Sequence, residues 1–247
     1  MTRAPLTKPA RVDSRLNESL LAPLSAFAQM DRATIRDILD FATSSRIEEG
    51  RTVFEEATPA THFYLLLDGT VRVIHLTPEG EQVTMLHIPP GELFGFAAAL
   101  GRDTYPGTAI AATESIILSW PMHLWKDFAN NHPGFSAAAT RTLGHRLSEI
   151  NNRVIEMATL HVEQRVARAL LRLIEQTGRR TDAGIEIDFP ITRQDISDMT
   201  GTTLHTVSRL LSRWARDGVV DGERKHKRIT VTDPHRLIEL GEAGLSG

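Results

Sequence analysis

The sequence of 247 residues contains no cysteine. Disulfides, cysteine-ligated iron–sulfur clusters and thiol redox switching are excluded together. No run approaches the roughly 18 apolar residues that a membrane-spanning helix needs, and no basic segment followed by an apolar one opens the chain. A soluble, cytoplasmic chain without a membrane partner is expected. The signatures of catalysis are also missing. There is no Gly-x-Ser-x-Gly, phosphate-binding glycine loop or His-Glu-x-x-His. His75 and His87 stand isolated, so the His-x-His cluster of a metal-dependent barrel enzyme is absent too. An enzyme is not expected.

What is present is 41% apolar residues, enough for one large or two modest cores, and a net charge of −3. The informative stretch is Thr192 to Val220. Ile196 and Met199 share a helix face, and Gly201 supplies the backbone freedom of a tight turn. Thr203 can cap a second helix in which Val207, Leu210, Leu211 and Trp214 recur at i, i+3, i+4 and i+7. The opposite face offers His205, Ser208, Arg209 and Arg213. An ordinary helical hairpin would explain the apolar spacing equally well, but not the sequel. After Asp217-Gly218, Val219 to Gly222 starts a hairpin, and Arg224, Lys225, His226, Lys227 and Arg228 lead into Ile229-Thr230-Val231. From His205 to Arg228 there are seven Lys/Arg against three Asp/Glu, a local +4. A helix-turn-helix with a basic wing reads double-stranded DNA.

Residues 1–19, with Pro5 and Pro9, are expected to form a flexible arm. Between Leu20 and Phe41 the pattern predicts two short helices, the second capped by Asp31. Ile47 to Trp120 holds short strand-like runs (52–54, 62–67, 70–76, 82–88 and 115–120) divided by turn signals, the pattern of a β-sandwich or jelly-roll barrel. After Pro121 the pattern is helical. Met122–Asn130 reads as a short helix, and Pro133 opens a long one. Within the long helix Leu143, Leu147, Ile150, Val154 and Met157 step by four, three, four and three, the seam of a coiled coil. It is read as a dimerisation helix rather than one lying on the barrel, since a homodimer matches the two half-sites of a palindrome. Val162–Gln176 is a further amphipathic helix, and Gly184–Phe189 a strand. The boundaries expected are 1–19 arm, 20–130 sensor barrel, 131–160 dimerisation helix and 161–247 winged helix-turn-helix, an α+β chain.

This order resembles the cyclic AMP receptor protein and fumarate–nitrate reduction regulator (CRP/FNR) superfamily of transcription factors over roughly residues 20–235. The marks are Leu67-Asp68-Gly69-Thr70-Val71, Pro90-Gly91-Glu92-Leu93-Phe94-Gly95, Thr192-Arg193-Gln194-Asp195-Ile196 and Thr206-Val207-Ser208-Arg209. The resemblance implies a cyclic-nucleotide-binding-like barrel, and phosphate contacts from Thr192, Arg193 and Gln194. Thr203, Thr206, Arg213 and Lys227 are further expected on the DNA backbone. Arg209 is the candidate for guanine O6 and N7. Ser208-Arg209 resembles the pair that reads a TTG-type half-site. His205 stands where that branch usually has glutamate, so base preference there is open between readout, a phosphate contact and no role. RNA polymerase is the further partner implied.

The family's known switches do not fit. Its cyclic nucleotide cassette needs a glutamate and an Arg-Ser pair, and those places hold Phe96 and Tyr105-Pro106. A phosphate cannot be desolvated there without a cation, so cyclic AMP is not expected. The iron–sulfur branch needs four cysteines. The carbon-monoxide branch has Cys-x-His where this chain has Gly95-Phe96-Ala97. The remainder most resembles the nitrite and nitric oxide reductase regulators, which implies a nitric oxide response carried by haem. Candidate axial ligands are His62, His75, His87, His145 and His161; no metal site is assigned. An effector pocket is expected around Phe96, Tyr105 and Ile150. The alternative is a constitutive DNA-binding factor controlled by its abundance.

Overall fold

The computed structural model describes residues 18–28, 30–78, 82–221 and 228–242. The expected N-terminal arm therefore lies outside the described residues up to 17. In chain order come α1 (Glu18–Leu21), α2 (Arg32–Leu39), β1 (Thr43–Ile47), β2 (Thr52–Phe54), β3 (His62–Asp68), β4 (Val71–Leu76), β5 (Gln82–Ile88), β6 (Leu93–Phe94), β7 (Thr108–Ala111) and β8 (Ser115–Pro121). Helices α3 (Trp125–Asn131), α4 (Pro133–Thr159) and α5 (Val162–Thr177) follow. The C-terminal elements are β9 (Gly178–Thr181), β10 (Gly184–Ile187), α6 (Arg193–Thr200), α7 (Leu204–Arg216), β11 (Val220–Asp221), β12 (Thr230–Val231) and α8 (Pro234–Glu242). The chain forms two compact units. One takes the described residues up to Val71 with Pro90–His145; the other takes Arg72–Pro89 and the described residues from Arg146. No helix among the described residues is long and apolar enough to cross a membrane.

The first unit is organised on β3, whose run Phe63–Leu66 is buried and whose backbone is paired on both edges, with β8 on one and β6 on the other. Leu65 faces Leu118 and Phe63 faces Trp120 across the antiparallel β3–β8 pair, and β1 extends the same sheet beyond β8. Behind it the rings of Phe63, Trp125, Phe128 and Phe135 meet edge to face, and Trp120 stacks on Phe63. The buried indole of Trp120 donates to the carbonyl of Ile38 at 2.9 Å, so the polar atom of this ring is satisfied. Asp31 caps α2 by accepting from Thr34 N. Gly69 turns β3 into β4 at φ +87°, and any β-carbon there would lie 2.4 Å from the carbonyl oxygen of Glu114.

Helix α4 changes environment along its length. Phe135, Ala138 and Ala139 are buried in the first unit's core, and Leu143 packs against it. Further on, Leu147 is 69% and Val154 60% exposed, and Ile150, Ile155 and Met157 are exposed as well. A stripe of large apolar side chains along this half of the helix stays exposed among the described residues.

In the second unit α5, α6, α7 and α8 enclose Val166, Leu170, Ile196, Val207, Trp214 and Leu237. The sheet β11–β12–β10–β9 contributes Ile187 and Val231. Asp195 of α6 is only 4% exposed, although it is a carboxylate. Its oxygens accept from Thr192 N at 2.8 Å, Thr192 Oγ1 at 2.6 Å and Thr84 Oγ1 at 2.9 Å, with Arg72 Nη1 at 3.9 Å. Burial works to raise this carboxyl, but the hydrogen bonds from Thr192 and Thr84 hold it below the usual aspartate range. Thr84 N also donates to Asp198 at 3.1 Å, so β5 is stitched to α6. His87 lies beside them, its ring 4.5 Å from that of Phe189.

Burial pushes the His87 imidazole down to about 4 against the pull of Asp195, and Arg72 adds to the lowering. A histidine held neutral in the fold stabilises it above the free histidine value of about 6.5. That contribution is lost as pH falls from there toward 4. His62 and His132 are lowered in the same direction by burial, so they share the slope. The expected outcome is that urea unfolding at pH 7 and pH 4.5 shows a smaller acid loss in His87→Phe, by on the order of 2–3 kcal/mol.

Candidate nucleic-acid interface

Helix α6 starts with a capping box. Thr192 adopts an extended backbone and its hydroxyl accepts from Asp195 N at 3.0 Å, while Asp195 reaches back to Thr192 N. The amide and hydroxyl of Thr192, read from sequence as a phosphate contact, are thus spent on Asp195. Arg193 and Gln194 are exposed at this helix start, and Gln194 Nε2 donates to Asp198 Oδ1 at 2.7 Å. Gly201 ends α6 in the left-handed region at φ 58°, ψ 41°. A residue with a β-carbon would be strained there by about 1–2 kcal/mol. Ser197 Oγ donates to the carbonyl of Thr202 at 2.6 Å, which fixes the turn.

Thr203 then caps α7 by accepting from Thr206 N at 3.2 Å, and the two hydroxyls lie 3.0 Å apart. Val207, Leu210, Leu211 and Trp214 face the core. The other face carries exposed His205, Arg209, Arg213 and Arg216, with Ser208 half-buried between them. Arg213 is pinned by an ion pair with Glu163, whose Oε1 also accepts from Trp214 Nε1 at 3.2 Å. No hydrogen bond or ion pair among the described residues engages the side chain of His205 or Arg209. One guanidinium of the helix is therefore anchored and another stands ready for a ligand.

The wing is framed by β11 and β12, but residues 222–227 lie outside the described residues, and the Lys227 expectation with them. Arg228, counted as part of the basic run, turns back onto the sheet. Its Nη1 donates to Glu186 at 2.9 Å and to Asp188 at 3.2 Å, and Arg179 pairs with the same two carboxylates. Hydrogen bonds from Arg228 and Arg179 hold Glu186 below its ordinary value.

The residues named for an effector do not share one setting. Phe96 stacks on Trp125 with centroids 5.4 Å apart. Tyr105 stacks on Phe54 at 3.9 Å, and its hydroxyl donates to the His62 carbonyl at 2.8 Å. Ile150 lines a cleft with Met85, His87 and Arg153. Thr84, Arg72 and His87, which lie around Asp195 of α6, are not marked as its neighbours by any sequence motif. The one local signal was aspartate three residues after Thr192, the spacing of a capping box. Among the described residues no group of three or more His, Asp or Glu is placed to hold a metal ion.

Residues 45–132 match the cyclic nucleotide-binding domain family and residues 164–240 the Crp-like helix-turn-helix domain family. Over 220 residues the chain is 23% identical to a CRP-like cAMP-activated global transcriptional regulator of Mycobacterium tuberculosis, covering 89% of this chain and 97% of that protein. It is 27% identical over 195 residues to the fumarate and nitrate reduction regulatory protein of Escherichia coli, 78% of this chain and 76% of that one. A solved CRP-family transcriptional regulator from Thermus thermophilus aligns with a TM-score of 0.67 at 26% identity, over 82% of this chain and 98% of that one. With both domains matched in this order and an exposed polar helix face within the second, the chain belongs to the CRP/FNR family of DNA-binding transcription regulators.

Proposed function

We propose that the chain works as a homodimer on a palindromic site with TTG-like arms, joined through the exposed stripe of α4 and switched by a small effector. The observation that carries the DNA reading is the outer face of α7. There Arg209 and His205 stand exposed and unengaged among the described residues, while the opposite face is buried. A free guanidinium on a groove-sized helix suits bidentate bonding to guanine. Arg193, Gln194, Thr203, Thr206 and Lys227 serve the backbone, with a smaller share from Arg213 because Glu163 already holds it. Thr192 acts chiefly by setting the start of α6. RNA polymerase is the partner through which bound protein changes transcription.

Cyclic AMP is not the effector. Tyr105 and Pro106 stand where the family's Arg-Ser pair would hold the cyclic phosphate, and the Tyr105 hydroxyl is tied to the His62 backbone. Nitric oxide is the candidate that the likeness to the nitrite and nitric oxide reductase regulators suggests. Haem would supply the iron for that response, with an axial ligand from His62, His75, His145 or His161. The cleft beside His87 has about 50 Å³, far too little for the macrocycle.

In a binding titration against a half-site library, Arg209→Ala is expected to cost about 1–3 kcal/mol and to relax discrimination at one base pair. Lys227→Ala is expected to weaken all sequences alike and to lower the salt slope by about one. For the switch, anaerobically purified protein is expected to show a haem absorbance band that nitric oxide shifts, with a change in DNA affinity. A colourless protein whose DNA affinity ignores nitric oxide contradicts that effector.

A further inference from the structure

Three arginines line a cleft in the C-terminal unit that the DNA-reading face does not use. Arg146 and Arg153 come from α4 and Arg172 from α5; His87 and Ile150 complete the walls that matter here. Arg172 has a counter-ion, since its Nη1 lies 2.7 Å from Glu156 Oε1. Arg153 has none among the described residues. Its guanidinium instead donates to two backbone carbonyls, that of Met85 at 3.0 Å and that of Asp198 at 3.2 Å. Burial, and then the neighbouring Arg172, draw Arg153 below the ordinary arginine value, although Glu149, Glu156 and Asp198 pull it the other way. The one carboxylate lining the cleft, Glu149, accepts from Gln176. His87 adds a buried Nδ1 that has no hydrogen-bond partner among the described residues. A guanidinium bonded only to carbonyls among the described residues, an imidazole nitrogen without a partner there and a second arginine complement an anion.

The size of the cleft narrows the class. It offers about 50 Å³. At roughly 10–15 Å³ for each water-sized group, that accommodates three to five non-hydrogen atoms. A trigonal or tetrahedral oxyanion fits; a nucleotide does not. We propose that this cleft binds a small oxyanion, gripped by the forked guanidinium of Arg153 and flanked by Arg146, Arg172 and His87.

Binding there has a consequence for the reading head. Beside the Thr84 bonds, Arg153 of α4 links the carbonyl of Met85 in β5 to that of Asp198 in α6, the first helix of the helix-turn-helix. An oxyanion that recruits this guanidinium competes with the tie. It therefore shifts the DNA-binding equilibrium by as much as it prefers one arrangement over the other. This coupling rests on the proposed DNA reading; the site itself does not.

The experiment is titration calorimetry of the full chain with inorganic phosphate and with nitrate, ionic strength held constant with sodium chloride. One saturable site per chain is expected for at least one anion, weakened tenfold or more in Arg153→Gln and in Arg146→Gln. The second variant leaves both carbonyl contacts of Arg153 in place, so it decides the matter if the first does not fold. No saturable binding of either anion overturns the proposal, as does binding that survives in the folded variants. Fluorescence anisotropy with duplex DNA then tests the coupling. An anion-dependent affinity in the native chain that Arg146→Gln loses supports it. Anion binding with unchanged DNA affinity removes the coupling alone. Absence of DNA binding under every condition counts against the regulator reading and leaves the calorimetric site standing.

Discussion

The start of the reading motif depends on one buried carboxylate. Asp195 closes the capping box of α6 with Thr192 and accepts the hydroxyl of Thr84 from β5. An ionised group so deeply placed survives only when its lone pairs are filled, and three hydrogen bonds fill them here. The consequence reaches beyond stability. The β4–β5 segment, sensor-like in its sequence pattern, belongs with α6 in the same compact unit. Movement of β5 is coupled to the first helix of the DNA-binding motif, because Thr84 and Arg153 join them.

From that anchored start, the geometry of the motif follows by local rules. Gly201 makes the turn, Thr203 caps α7, and four apolar residues turn one side of α7 inward. What is left outside is polar by exclusion. Electrostatics then divide the arginines into two kinds. Arg213 and Arg228 are committed to carboxylates of their own chain and position the scaffold. Arg209 is uncommitted among the described residues and is the one suited to specify sequence. The basic run thus offers less free charge than its composition suggests.

Much of this was legible in the sequence where periodicity was strong. The strand Gln82–Ile88, the start of α4 at Pro133 and the caps Asp31 and Thr203 all follow from local pattern. Elements without a pattern were missed. β1 reads Thr-Ser-Ser-Arg-Ile and is a strand because β8 supplies its pairing partner. β6 and β7 are too short to alternate visibly, and β9 is Gly-Arg-Arg-Thr. The expected helix Met122–Asn130 divides into a 3₁₀ turn at Met122–Leu124 and α3. Helix α8, unread for want of a long period, packs Leu237 into the second core. The polar partners of α6 were invisible for a different reason. Thr84 and Asp195 are 111 residues apart, and only tertiary structure brings them within a hydrogen bond.

In the proposed dimer two copies of this chain present the α7 face to DNA as a symmetric pair. This arrangement is tested most directly by selecting duplexes from a random-sequence library with the purified full-length protein. A symmetric pair of reading helices requires enrichment of a two-fold symmetric sequence, its half-sites spaced by about one helical turn of 10–10.5 base pairs. Enrichment of a single unpaired half-site, or no enrichment over bulk duplex, would contradict it.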